Sequence, residues 1–518
     1  MAKKLNKNLV VGLAILGFAI TTAAGVAMVK FLQRTDPTEF AAKADSYAKS
    51  EDSEDWMRAY QYYSRAYRTS DDPEYLVRAA DMFRKLGKEG DALKMYQTAV
   101  VVAPDLLDAQ EKILDLQLEI ASMQPLSTES WLNVKTTAQA ILDLDGQENH
   151  PRALYGMGAA LLGLRELSPE NESLAIEYLD KAIAADPGAV EPVRRMVQYC
   201  WKHDQYDRAE ELLTRIVAAT QTPGKDAADA RCLLADHYVS VGGKLLGSLK
   251  TSKKNASAEE KERITAEANE YLKRAADVYS EAPGMAGEDK EVQADVLARA
   301  GRFWVTRWSI LNAAEGDQRE PQAKIDAALD HAVAAAEKAI EVDPEGFDGY
   351  FLRAELYRQA DDLPAAIDTL KRRLELPFLR EGFKSFVTRA NRYMLLIALA
   401  DLNTALTARE ERGSEAGAKY ASQARLYIDD AMGELHDRPE ALHSRGKLAY
   451  VLGEFTDAVK WFERSDEQSP RPNVTNLHYL ALARLKLGQM GAALDAIQRA
   501  AAVPGAGAAV LATYAQIL

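Results

Sequence analysis

The feature that most constrains this 518-residue chain is a three-residue signature that keeps returning: a small residue, a large one four positions later, and a second small one three positions after that. Ala92, Tyr96 and Ala99 show it plainly. Ala59/Tyr63/Ala66, Ala175/Leu179/Ala182, Ala424/Ile428/Ala431 and Ala458/Phe462/Ser465 repeat it. Residues spaced by four and three share one face of an α-helix. Two small residues on that face let a second helix come close, while the large residue between them fills the contact. Successive markers at 59 and 92, 175 and 209, 332 and 366, 424 and 458, and 458 and 493 stand 33 to 35 residues apart. That period accommodates two helices and their turns, so the chain reads as an array of helix pairs rather than a set of unrelated domains.

One unit is legible in detail. In DPEYLVRAADMFRKLGKEGDALKMYQTAVVVAP, Asp72 to Pro104, Asp72 caps a helix whose first turn accepts Pro73, because a proline there lacks only an N–H without an intrahelical partner. Gly87 ends that helix and Pro104 ends the next. Pro187, Pro344 and Pro470 close other units at the same distance beyond the second small residue. No alternating stretch reads as a strand. The pattern resembles the tetratricopeptide repeat (TPR) family over residues 38–503, with about eleven repeats. One repeat, between Pro104 and Pro151, is degenerate, and three are enlarged by the polar stretches 248–263, 315–322 and 409–419.

The resemblance implies an all-α fold: an α-solenoid of TPR helix–turn–helix repeats, a right-handed superhelix whose concave groove is lined by the first helix of each repeat and binds protein or peptide partners. Counting from the large core position of each first helix, the expected groove residues are Tyr155, Arg194, Gln198, Phe351, Glu355, His443, Lys447 and His478. This mixed lining lacks the run of Lys and Asn with which TPR co-chaperones clamp a terminal carboxylate. After Arg499 the chain carries no charge. Residues 504–518 read as the start of a further helix, with Val510, Leu511, Tyr514 and Leu518 as an apolar face for a partner, a second copy, or a continuation of the chain.

The amino terminus suggests a different environment. A short basic tail, residues 1–8, precedes Leu9–Val29, an uninterrupted charge-free run of 21 residues, and residues 30–37 link it to the array. As a helix the run would span roughly 30 Å, a bilayer's hydrocarbon thickness. A cleaved signal peptide is the rival reading, but its apolar region is shorter, about 7–15 residues. Lys3, Lys4 and Lys7 would hold the tail in the cytoplasm. The expectation is a single-pass transmembrane helix with the array on the extracytoplasmic (periplasmic) side of a bacterial inner membrane.

Composition excludes several functions. The formal net charge is −14, and residues 1–34 hold basic residues and no acidic one, so the array itself is more acidic still and a poor ligand for nucleic acid. Cys200 and Cys232 sit in no CxxC or Cys/His cluster. The seven histidines form no HExxH and no i, i+4 pair, and no phosphate-cradling or nucleophile-elbow motif is present. Asp143–Gly146 reads as a helix end and turn rather than a calcium loop, and Phe303, Trp304 and Trp308 as the core of an enlarged repeat. The expectation is no catalysis, no metal and no cofactor. The leading reading is a membrane-anchored scaffold in an envelope-associated assembly. The alternatives are a regulatory or substrate-presenting arm of a larger enzyme or export machine, and an organelle-surface import receptor.

Overall fold

The computed structural model describes residues 36–518 except 51, 124–126, 166, 167, 169, 251, 252, 313–320, 377–385, 470, 504 and 505. Among the described residues there are 23 α-helices, one short 3-10 turn and no strand. Two compact units divide the chain, Met1–Leu164 and Arg165–Leu518. The first holds α1 (Pro37–Ala48), α2 (Ser53–Ser70), α3 (Pro73–Lys85), α4 (Glu89–Val102), α5 (Leu107–Met123), α6 (Thr128–Leu142) and α7 (Pro151–Gly163). The second begins with α8 (Glu170–Ala185), α9 (Val190–Lys202), α10 (Tyr206–Ala219), α11 (Lys225–Lys250), α12 (Ala258–Glu281), α13 (Lys290–Asn312) and α14 (Gln322–Val342). It continues with α15 (Asp348–Gln359), α16 (Leu363–Glu375), α17 (Phe386–Arg409), α18 (Glu415–Glu434), α19 (Pro439–Leu452), α20 (Phe455–Gln468), α21 (Val474–Lys486), α22 (Met490–Ala501) and α23 (Ala508–Ile517).

Local chemistry sets the boundaries. The Asp36, Asp52 and Asp72 carboxylates accept from Thr38, Glu54 and Glu74 N–H groups at the starts of α1, α2 and α3, and Pro37 and Pro73 occupy first-turn positions. In five pairs the turn holds one residue in the left-handed region. Gly87, Gly453 and Gly488 supply it in three pairs, Asp204 and Asp361 in two others. Glycine adopts that conformation without a Cβ penalty, and aspartate is among the few other residues that tolerate it.

Packing follows the small–large–small markers. Ala92, Tyr96 and Ala99 are fully buried, as are Ala175, Leu179 and Ala182, and Ala458 and Phe462. Ala92, Tyr96 and Ala99 pack with Leu76, Val77 and Ala80 of α3 and with Ala109, Ile113 and Leu116 of α5, so the second helix of a pair is wedged between two first helices. The enlarged repeats resolve into longer helices: α11 and α12 have 26 and 24 residues against 13 and 14 for α9 and α10. The degenerate repeat is α5 and α6. Phe303 is buried and packs edge-on to Trp304, which stacks on His331 of α14, so the aromatic turn is core.

The single-pass membrane placement is corrected. No helix among the described residues is long and apolar enough to cross a membrane, and the run Leu9–Val29 on which the transmembrane helix rested lies outside them. The apolar segments that the structure does describe owe their hydrophobicity to helix–helix contacts.

Ala99 is buried where α4 meets its neighbours, whereas Val101 is 81% exposed. Ala99→Leu is expected to overpack this contact and cost about 1–3 kcal/mol. Val101→Leu should stay within about 0.5 kcal/mol of the parent. Urea denaturation of the two variants, followed by circular dichroism, checks the difference.

Candidate functional site

Apolar wedging sets how close the helices come, and polar bonds between successive first helices set how they slide and rotate. In the first unit Arg78 of α3 lies 3.7 Å from Asp45 of α1, Lys112 of α5 donates to Asp81 of α3 at 2.7 Å, and Arg152 of α7 pairs with Asp115 of α5 at 2.6 Å. The second helices add to two of these rungs: the buried Tyr63 and Tyr96 hydroxyls donate to Asp45 and Asp81, both at 2.5 Å. Burial, then the bond to the carboxylate, pushes both tyrosine hydroxyls well above their ordinary pKa, so they remain donors.

The second unit uses different residues for the same task. Asp229 of α11 lies between Arg194 of α9 at 3.7 Å and Arg299 of α13 at 3.3 Å, and Arg302 of α13 pairs with Asp348 of α15 at 2.6 Å. Ser444 of α19 donates to Asp401 of α17 at 3.0 Å, His443 of α19 bonds Asn476 of α21 at 3.0 Å, and His478 of α21 bonds Thr513 of α23 at 2.9 Å. One step is missing. Among the described residues no hydrogen bond or ion pair joins α15 to α17.

At that step the surface opens into a cleft of about 540 Å³, within the usual range for ligand-binding pockets. Phe351 and Ala354 of α15, Leu363 and Leu370 of α16, and Ala398, Leu402 and Ala405 of α17 form an apolar floor. Met394, one helical turn before Ala398, extends the apolar stripe and is 49% exposed. The rim is charged but self-satisfied. Arg358 and Gln359 donate to Glu355 at 2.6 Å and 2.8 Å, Asp361 pairs with Arg409, and Asp401 faces Lys447 at 3.7 Å. Burial alone would raise the Glu355 carboxyl, but the bonds from Arg358 and Gln359 outweigh it and hold it below the usual carboxylate value. An apolar group is the species such a cleft can hold.

The sequence-derived groove residues divide three ways. Phe351, Glu355 and Lys447 all line the cleft. Arg194, His443 and His478 are spent on the bonds between first helices, and Gln198 is exposed on α9 away from the cleft. Tyr155, in the first unit, is buried. Its helix α7 is rich in glycine, and a Cβ on Gly156 or Gly163 would meet Leu114 of α5 at 2.9 Å or the Trp131 ring of α6 at 2.4 Å. Those glycines let α7 lie close against α5 and α6. At the end of the chain Val510 is 5% exposed against α21 and α22, and Tyr514 packs partly on the same cluster, while Leu511 and Leu518 are 51% and 79% exposed. The expected apolar face is thus divided between packed and outward sides of α23.

The cleft residues that sequence reasoning missed include Ala398, Leu402 and Ala405 of α17, with Arg409; Met394 continues their stripe one turn outside the cleft. Their own 4-4-3 spacing was the available signal. Cys200 and Cys232 are buried and unbridged, and burial raises both thiols, Cys232 to about 12, so neither is a reactive thiolate. Among the described residues no group of three or more His, Cys, Asp or Glu is placed to hold a metal ion.

The fold and cleft define a TPR-like helical solenoid. Residues 328–375, from within α14 to the end of α16, match the family model described as tetratricopeptide repeat, which supports the repeat-family reading at the pair that walls the cleft. No curated protein matches the chain. Among solved structures it is similar to yeast Tom70, at 13% identity over 93% of this chain and 94% of that one, with a TM-score of 0.38. It is also similar to a thermophilic TPR protein of Thermus thermophilus, at 20% identity over 38% and 93% of the two chains, TM-score 0.30. A third likeness is to Acl4, an assembly chaperone of RpL4, at 16% identity over 53% and 95%, TM-score 0.32. At TM-scores this low none of the three bears on what this chain binds.

The buried histidines give the second unit a pH dependence. Burial holds His237 and His443 below the ordinary imidazole value of 6.5, and the Asn476 bond only partly offsets this at His443. Both stay neutral in the fold while the unfolded chain binds protons, so their contribution is complete above 6.5 and is lost as pH falls below it. Each can remove up to about 1.4 kcal/mol per pH unit. Stability should fall between pH 7.5 and 5.5, and His237→Gln with His443→Gln should flatten that fall in thermal melts.

Proposed function

We propose that this chain is a non-catalytic TPR scaffold that holds a protein partner by seating large apolar side chains of a partner segment in the cleft between α15 and α17. The observation that carries the reading is the contrast between the apolar floor and a rim whose carboxylates already face their own cations. A charged anchor would have to break an existing pair. An apolar anchor has only to leave water, which is worth about 1.5–3 kcal/mol for each large side chain buried. Two such anchors would supply a useful share of a micromolar affinity, about 8 kcal/mol, with backbone and rim contacts adding the remainder. Phe351 then provides an apolar wall, and Met394, exposed one turn beyond the cleft, an adaptable, polarizable surface on which the segment can continue.

The test is selection of displayed random peptides on the full-length protein, followed by affinity measurement for the selected sequences. Selected peptides should share one or two large apolar residues. Met394→Glu and Ala398→Arg, which place charge on the stripe and bulk in the cleft, should each weaken binding at least tenfold. Selected peptides without apolar anchors, or ones that bind both variants as well as the parent, would overturn the proposal.

A further inference from the structure

We infer that the junction between α15 and α17 is a hinge, about which the helices before and after it in the second unit move as separately braced bodies, opening and closing the cleft. The inference follows from where the polar side chains are spent. On α15, Asp348 pairs backward to Arg302 of α13, Arg353 lies 3.8 Å from Glu337 of α14, and Glu355 is engaged within its own helix by Arg358 and Gln359. The Tyr350 hydroxyl donates to the Pro344 carbonyl, also behind it. On α17 the bonds run forward: Asp401 to Ser444, the Tyr393 hydroxyl to Glu440 and to the Ala441 N–H, and Arg389 to the Glu434 carbonyl. Asn403, Thr404 and Thr407 bond carbonyls of α17 itself. Each side is therefore cross-braced, and among the described residues α15 and α17 face each other across the cleft without a directional bond.

The packing that the described residues carry through the junction is apolar. Leu363, Ile367 and Leu370 of α16 pack with Leu395, Leu399 and Leu402 of α17. Hydrophobic contact is non-directional, so helices packed this way can slide and tilt by small amounts while the same surface stays covered. A hydrogen bond loses strength steeply with such misalignment, which is why the braced steps are stiffer. The cleft leaves space into which the junction can close, and closing it would cover more of Phe351, Ala398 and Ala405. At the rim the described residues make one tie, the ion pair between Asp361, in the turn after α15, and Arg409, the last residue of α17. Both side chains are largely exposed, so water and salt screen the pair and it acts as a weak latch. Asp361 already has the left-handed backbone that glycine favours, so Asp361→Gly removes the latch without straining the turn.

The hinge is a property of the chain alone and does not depend on the partner proposed above. Pulsed electron–electron double resonance on the full-length protein tests it, with spin labels on cysteines introduced at exposed positions while Cys200 and Cys232 remain buried. Asp368 with Asp430 spans the junction, Lys338 with Asp368 lies before it, and Asp430 with Glu467 lies after it. The spanning pair should give a distance distribution at least twice as wide as either control, and Asp361→Gly should broaden or shift the spanning pair only. Equal widths for all three pairs would overturn the hinge, and a broad spanning distribution that Asp361→Gly leaves unchanged would overturn the latch. Peptides bound by a rigid cleft would sink the hinge and spare the partner reading. A moving junction that selects no peptide would do the reverse.

Discussion

Close approach of helices at paired small residues is the constraint on which everything else in this protein depends. A single pair cannot bury its own apolar face, and Ala92 and Ala99 are fully buried because α4 touches both α3 and α5. Where both marker residues are alanine the helix axes can come near; where a larger residue intrudes, something else must give. Arg373 stands where the α16 signature calls for a small residue. It is buried with its guanidinium over the Phe347 ring and its Nε donating to the Gly346 carbonyl, so a cation fills the space and caps the loop before α15. Burial lowers its pKa, the cost of placing a charge there.

Polar bonds on top of this apolar frame do a separate job. They contribute little net stability when half-exposed, yet they are directional, and a stack held by wedged apolar residues alone would have many nearly equivalent registers. Asp45, Asp81 and Asp115 in the first unit, and Asp229, Asp348 and Asp401 in the second, each fix one helix against the next. These six aspartates thus meet a donor from a neighbouring repeat. Among the described residues this bracing lapses between α15 and α17, where the cleft lies, so one omission underlies both the proposed partner site and the proposed hinge.

The helix pairs were legible in the sequence because they rest on local chemistry: caps, left-handed turns and a face spaced by four and three. Part of the site was legible for the same reason, since Phe351, Glu355 and Lys447 keep a fixed register to the core leucines and tyrosines of α15 and α19. The rest was not. His443 and His478 looked free because their partners, Asn476 and Thr513, lie 33 and 35 residues away, and such contacts depend on how one pair sits on the next. Tyr155 looked exposed, yet it is buried on a helix whose glycines lie close against α5 and α6. Met394 and Ala398 escaped notice because the lengthened α17 offers no marker from which to count. Hydropathy alone was a weaker guide still, since an apolar run such as Leu9–Val29 reports a preference for leaving water and not the medium that receives it.

The choice between glycine and aspartate in the pair turns ties these levels together. Gly87, Gly453 and Gly488 precede first helices of 17, 13 and 10 residues, whereas Asp204 and Asp361 precede α11 and α17, of 26 and 24 residues. A lengthened first helix reaches back past the preceding turn, and in both cases a base on the extension meets the aspartate: Lys244 at 2.5 Å from Asp204, and Arg409 at Asp361. All five turns need the same left-handed backbone, so the turn itself does not select the acid. The neighbour does. At the first of these junctions α9 and α11 are also braced through Asp229 and through the bond from Trp201 to His237. At the second the aspartate is the one tie between the turn after α15 and α17 among the described residues. One substitution type, read against helix length, therefore marks both a braced junction and the latch of a hinged one.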